Sequence, residues 1–216
     1  MQKKKIFDLI VEEKFIPLIR SDSREEAIKI AEAMKKGGAK LIEVTMTVPS
    51  AFDVIKEVSR AFGDTVIIGA GTILDVETAR IALASGAKFL VTPTVNTDVI
   101  ALGHRYSVLT IIGAMTLTEI LNCWNGGADL VKIFPSSLLG GPNYIKAIKG
   151  PLPQVLLVPS GGINVESAPT YIEAGATAIA VGSEITRVDP KDKKRFETIE
   201  KRTAAFIQAL KKSKKV

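Results

Sequence analysis

A (β/α)8 TIM barrel with one extra helix at its N-terminus is the fold this sequence predicts, and three observations carry it. Eight short apolar runs alternate strictly with eight segments of helical pattern. The runs are apolar throughout rather than alternating, as in strands of a parallel sheet covered on both faces. The phrase joining helix to strand recurs as Gly37-Gly38-Ala39, Gly86-Ala87, Gly126-Gly127-Ala128 and Gly175-Ala176. Each places a glycine where a helix ends in a left-handed residue before a short loop. Eight such units in 216 residues fit a small barrel. An open doubly wound sheet is the runner-up. No linker or low-complexity stretch appears before a basic tail at about 211, so residues 1–216 are expected to form a single domain.

The elements follow in order. Residues 3–13 read as a short amphipathic helix with Ile6, Leu9 and Ile10 on one side. Phe15 to Arg20 is the first strand. Ser21-Asp22-Ser23 caps the next helix, with Glu25 and Glu26 in its first turn, and Gly37-Gly38 stops it. Lys40 to Thr45 is strand two. Pro49 opens a helix that reaches about Phe62. Thr65 to Gly69 is strand three and Asp75 to Ser85 its helix. Lys88 to Thr92 is strand four, followed by a helix from Asn96 to about Arg105. Val108 to Ile112 is strand five, and Thr116 to Asn125 a capped helix. Asp129 to Ile133 is strand six, followed by a helix from Pro142 to Lys149. Val155 to Val158 is strand seven and Asn164 to Ala174 its helix. Thr177 to Val181 is strand eight, and Asp189 to Lys212 a long closing helix.

Composition removes several classes of function. With 46% hydrophobic and 24% charged residues the chain is an ordinary globular one, and no apolar run approaches the roughly 18 residues of a membrane helix. Lys3, Lys4 and Lys5 are followed by Asp8, Glu12 and Glu13, which is not a signal-peptide pattern, so a cytoplasmic location is expected. The single Cys123 excludes an intrachain disulfide, and the single His104 sits in a polar helix-end context that suits a surface histidine. No metal site is expected. Much of the net charge of +6 lies at the two termini, and aromatics make up only 6%, so nucleic-acid binding is not expected. A modest positive field favours anionic small molecules.

In such a barrel function gathers at the C-terminal ends of the strands. Strand six, Asp129-Leu130-Val131-Lys132-Ile133, carries a lysine in its middle. Removing an ammonium from water favours the neutral amine, and a neutral amine attacks a ketone or aldehyde to form a Schiff base. A strand lysine that snorkels to water is the blander alternative. Strand period decides the facing: Leu130 and Lys132 share a face, as do Leu41, Glu43 and Thr45, and Ile16, Leu18 and Arg20. If the β-branched residues of these strands pack on helices, Glu43, Lys132 and Arg20 point into the barrel and meet in a low-dielectric space. Buried charges need partners, so a purely structural Glu–Lys pair is the competing reading. Strands seven and eight end in Ser160-Gly161-Gly162 and Gly182-Ser183, each running into a helix start. Backbone N–H groups there suit a phosphate; tight turns with no ligand are the alternative.

Taken together, Leu41-Ile42-Glu43-Val44-Thr45, Gly69-Ala70-Gly71-Thr72, Val131-Lys132-Ile133-Phe134-Pro135 and Pro159-Ser160-Gly161-Gly162-Ile163 resemble the KDPG and 4-hydroxy-2-oxoglutarate aldolases. These are class I pyruvate aldolases on a small barrel, usually trimeric, and the likeness runs from about Phe15 to Ile185. The resemblance implies a Schiff-base Lys132, an acid/base Glu43 and a Thr72 that helps hold the keto-acid carboxylate. It implies a phosphate turn at Ser160, Gly161 and Gly162, completed by Gly182 and Ser183, and pocket walls from Pro93 and Phe134. It implies a phosphorylated 2-keto acid as substrate, no cofactor, and a homotrimer. There are departures. Many members carry an arginine where this chain has Thr47, which leaves Arg20 as the replacement by facing alone. Ser136-Ser137 stand where many have a small residue and a glutamate. These changes bear on the distal half of the substrate. A phosphate-binding isomerase and an inactive barrel used as an oligomeric scaffold are the competing functions.

Overall fold

The computed structural model describes residues 2–212. Eight parallel strands form a nearly closed barrel: β1 (Phe15–Ile19), β2 (Leu41–Thr45), β3 (Ile67–Gly71), β4 (Phe89–Val91), β5 (Leu109–Ala114), β6 (Leu130–Ile133), β7 (Leu157–Pro159) and β8 (Ile179–Val181). From β1 to β7 each strand pairs with the next in sequence, and β1 also pairs with β8, with Pro17 opposite Val181. Between β7 and β8 the ladder thins to one bridge, Ser160 opposite Ala180, and a 2.8 Å bond from Thr177 N–H to the Leu157 carbonyl.

The helices are α1 (Gln2–Glu13), α2 (Arg24–Lys36), α3 (Ala51–Phe62), α4 (Val76–Ala84), α5 (Thr97–Tyr106), α6 (Leu117–Asn125), α7 (Pro142–Lys149), α8 (Ala168–Glu173), a short α9 (Ser183–Thr186) and α10 (Arg195–Lys212). Their starts are chemically marked. Side chains of Ser23, Asp75, Asn96 and Thr116 each accept an N–H three residues on. The inside of the sheet is filled by Ile16, Leu18, Leu41, Phe89, Ile111 and Leu130 among others, so the barrel is a packed core. The outer faces of the strands pack against the helices. Helix α1 belongs to the inner cluster: its buried Ile6 and Ile10 plug the N-terminal mouth of the barrel. Lys3 ties the helix to Asp129 at 2.8 Å, just before β6.

Several boundaries differ from the sequence reading, each for a local reason. Strand three starts two residues later because Gly63–Thr65 closes a 3-10 turn after α3. Helix α3 begins at Ala51 rather than Pro49, because Ser50 takes a left-handed conformation (φ 54°) just before it. Residues 164–167 form an Asn164–Ser167 side-chain turn instead of opening α8. At 189–194, Asp189 and Asp192 accept backbone N–H groups in successive turns, which delays α10 to Arg195. Of the expected basic tail, Lys211 and Lys212 form the last turn of α10, and the rest lies outside the described residues.

Candidate active site

The period-two reading of facing holds for the two strands that matter most. Glu43 shares the inner face of β2 with Leu41, and Lys132 that of β6 with Leu130. Lys132 does not snorkel: its side chain is 7% exposed, and its Nζ lies 3.8 Å from Oε1 of Glu43, which is 1% exposed. Neither carboxylate oxygen of Glu43 has a hydrogen-bond partner. The amine also lies 5.7 Å from the ring centroid of Phe134, within reach of its negative face. Arg20 departs from expectation. It is exposed, beyond the last residue of β1, and joins no ion pair among the described residues. The guanidinium therefore stands at the rim, and only the amine and the carboxylate meet inside. A strand end one residue short is enough to place a long side chain in water.

The floor of the site is built around Glu43. Its carboxylate packs against Gly71 at the end of β3, and a Cβ there would overlap Oε1. Immediately after, Thr72 adopts φ 58°, a conformation that β-branched residues rarely take and that costs about 1–3 kcal/mol. Its neighbours hold it there. The Gly71 carbonyl accepts the Met46 N–H at 2.8 Å, and the fully buried Ile73 donates to the Val91 carbonyl at 3.1 Å.

Lys132 opens onto a cavity of about 290 Å³ at the C-terminal end of the strands. That is near the low end of the roughly 300–1,000 Å³ of ligand pockets and suits a small molecule. Arg20, Thr72, Pro93 and Phe134 line it on one side. Ser160, Gly161 and Gly162 line it from β7, and Gly182 and Ser183 from β8. Glu43 lies below this wall and reaches the site through Lys132. Gly161 and Gly162 are left-handed (φ 92° and 71°), and that turn is locked from behind. Ser136 N–H donates to the Ser160 carbonyl at 2.8 Å and Ser137 N–H to that of Gly161 at 3.2 Å. A Cβ at Gly162 would overlap the Ser137 hydroxyl. The linkage explains why the segment after the cis Phe134–Pro135 bond turns into a 3-10 helix, Ser137–Leu139, beside the cavity.

Sequence reasoning left out part of the lining. Leu18 and Ala180 supply apolar wall from inward positions of β1 and β8, and Glu184 brings a residue from the first turn of α9. Strand alternation contained the first two, while α9 is too short for periodicity to reveal. Other nucleophile candidates lie elsewhere. Cys123 is fully buried on the inward side of α6, and burial, with the charge of Glu119 adding to it, pushes its thiol up to about 12. His104 is exposed and its Nε2 lies 2.9 Å from the Gly127 carbonyl.

Comparison with known proteins adds a further finding. The profile of the family described as KDPG and KHG aldolase matches residues 6–202. The 2-dehydro-3-deoxy-phosphogluconate aldolase of Treponema pallidum is 37% identical over 169 residues, 77% of this chain and 79% of that protein. The 2-dehydro-3-deoxy-6-phosphogalactonate aldolase of Escherichia coli is 32% identical over 195 residues, 90% of this chain and 93% of that protein. Among solved structures, KDPG aldolase from Legionella pneumophila, with pyruvate captured as a covalent carbinolamine intermediate, superposes with a TM-score of 0.75 at 27% identity. That match covers 95% of this chain and 97% of the other.

Proposed function

The chain belongs to the KDPG and KHG aldolase family, and we propose that it is a Schiff-base aldolase whose nucleophile is Lys132 and whose proton carrier is Glu43. It cleaves a 2-keto-3-deoxy-6-phosphosugar acid, the phosphogluconate derivative or a close 4-hydroxy-2-oxo acid, to pyruvate and an aldehyde. The observation that carries the reading is the buried amine 3.8 Å from a carboxylate that no other group engages. A structural pair would be expected to spend its lone pairs on further donors.

In this reading Lys132 adds to C2 of the keto acid to give a carbinolamine, and loss of water gives an iminium. The iminium accepts the electron pair of the C3–C4 bond as that bond breaks, leaving an enamine. Glu43 takes the proton of the C4 hydroxyl as the aldehyde forms and returns a proton to the enamine carbon. Hydrolysis then frees pyruvate and the amine. Acid–base help of this kind contributes roughly a hundred- to ten-thousand-fold. Thr72 and Arg20 hold the carboxylate. The amides of Gly161, Gly162 and Ser183, with the Ser160 hydroxyl, take the terminal phosphate. Pro93 and Phe134 wall the chain between them, and Gly182 lets the β8 turn approach it. A KDPG aldolase relative captures pyruvate as a covalent carbinolamine, the product of amine addition to a keto carbon, and that supports the same first step for Lys132.

The test is trapping. Pyruvate and borohydride should add one reduced pyruvyl group, found on Lys132 after digestion; a label on another lysine and none on Lys132 overturns the assignment. Lys132→Met should abolish cleavage while leaving the fold. For the substrate, pyruvate release should be compared for the 6-phosphogluconate derivative, its phosphogalactonate epimer and 4-hydroxy-2-oxoglutarate. A preference for the unphosphorylated acid removes the phosphate turn from the proposal. The homotrimer implied by the resemblance is carried with this reading, and sedimentation reads it directly.

A further inference from the structure

We propose that Thr45 is a positioning residue, which acts on the keto-acid carboxylate through Arg20. The proposal rests on the assignment of Arg20 as carboxylate anchor made above. Thr45 is the last residue of β2 and is fully buried. Its Oγ1 lies 2.8 Å from the Ile19 carbonyl and 2.8 Å from Oγ1 of Thr47. A hydroxyl has one proton, and a carbonyl can only accept. Thr45 therefore donates to Ile19, and Thr47 must donate to Thr45.

Two consequences follow from this proton accounting. The Ile19 carbonyl belongs to the peptide that carries the Arg20 nitrogen, so Thr45 grips the backbone unit from which the arginine springs. Regular pairing of β1 with β2 stops at Ile19 opposite Val44, so this side-chain bond extends the ladder just past the strand. It fixes the exit direction of the chain where Arg20 leaves for the cavity rim. The second consequence concerns Thr47, whose hydroxyl proton is already given to Thr45 and so is not available to a carboxylate. The chain thus holds its cation on β1 and uses the end of β2 to aim it.

The experiment measures the pyruvate concentration that half-saturates borohydride trapping, with kcat for aldol cleavage alongside. Arg20→Ala should raise half-saturation about ten-fold or more, the loss of a charge-assisted bond. Thr45→Val, equal in shape and lacking the hydroxyl, should raise it about three- to ten-fold, since the anchor remains but is misaimed, with a much smaller change in kcat. Thr45→Ser should restore the wild-type value, and Thr47→Val should stay within about two-fold of it. In the Arg20→Ala background Thr45→Val should add nothing further to half-saturation.

If Arg20→Ala leaves half-saturation unchanged, the anchor assignment fails. If Arg20→Ala raises it and Thr45→Val lowers only the melting temperature, the positioning role fails alone. Should the valine variant not fold, Thr45→Ser decides: a serine variant that is stable yet shifted in half-saturation overturns the hydroxyl as the agent. A large shift for Thr47→Val would place that hydroxyl on the substrate and overturn the proton assignment.

Discussion

At the scale of single residues, the site turns on a buried carboxylate with no hydrogen-bond partner and an amine as its ion-pair partner. Glu43 owes its place to Gly71, since any larger residue would occupy the carboxylate's space. Gly71→Ala is therefore expected to displace Glu43 and lower kcat for cleavage by about a hundred-fold or more, the scale of lost acid–base help. Steady-state kinetics on a variant with native circular dichroism measures this, and wild-type kcat would refute it. The Glu43–Lys132 pair was legible in the sequence because strand period is rigid and both residues lie well inside their strands. Arg20 was only half legible. Its facing was predicted, but its burial depended on where β1 ends, and hydrogen bonding to β2 rather than side-chain pattern decides that end. The Thr45 hydroxyl gave no sequence signal, because a strand threonine reads as simple β-propensity.

At the scale of elements, the best-marked helix start is that of α6. Thr116 accepts the Glu119 N–H at 3.3 Å, and Glu119 reaches back at 2.8 Å to the N–H groups of both Thr116 and Met115. Those backbone bonds, Met115 first, hold the Glu119 carboxyl below its ordinary value. A depressed carboxyl stabilises the fold above its unfolded value and loses that contribution as pH falls through the folded one. Thr116→Ala should cost about 1 kcal/mol at neutral pH. In Glu119→Gln the acid side of the stability profile should flatten, a change that urea melts at several pH values would reveal. Elements with such caps were located from sequence to within a residue or two. Helices without such caps fared unevenly: α7 was placed by its leading proline, whereas α9 has four residues and no side-chain cap, and the turns before α8 and α10 consume the polar residues that looked like helix starts.

At the scale of the whole molecule, the two mouths of the barrel do different work. Helix α1 closes the N-terminal mouth, where the fully buried Ile10 meets the inner core, and the cavity opens at the other. Ile10→Ala should cost about 2–5 kcal/mol of stability, read by denaturant melts, with kcat/KM for cleavage unchanged below the melt. A matching loss of kcat/KM would contradict the separation of the two ends. Division of labour across a barrel was predictable from topology, and so was the ring itself, but not the strength of its last seam. The sequence could count eight strands without saying how firmly the last meets the seventh. That junction is the thinnest in the ring, one bridge and one backbone bond, and the cavity sits directly over it, with Ser160 to Ile163 on one bank and Ala180 to Glu184 on the other. A substrate that bound as proposed, with its phosphate between the two banks, would be a clasp as well as a reactant: it would fasten the hoop at its weakest seam, and release of the phosphorylated aldehyde would undo the buckle.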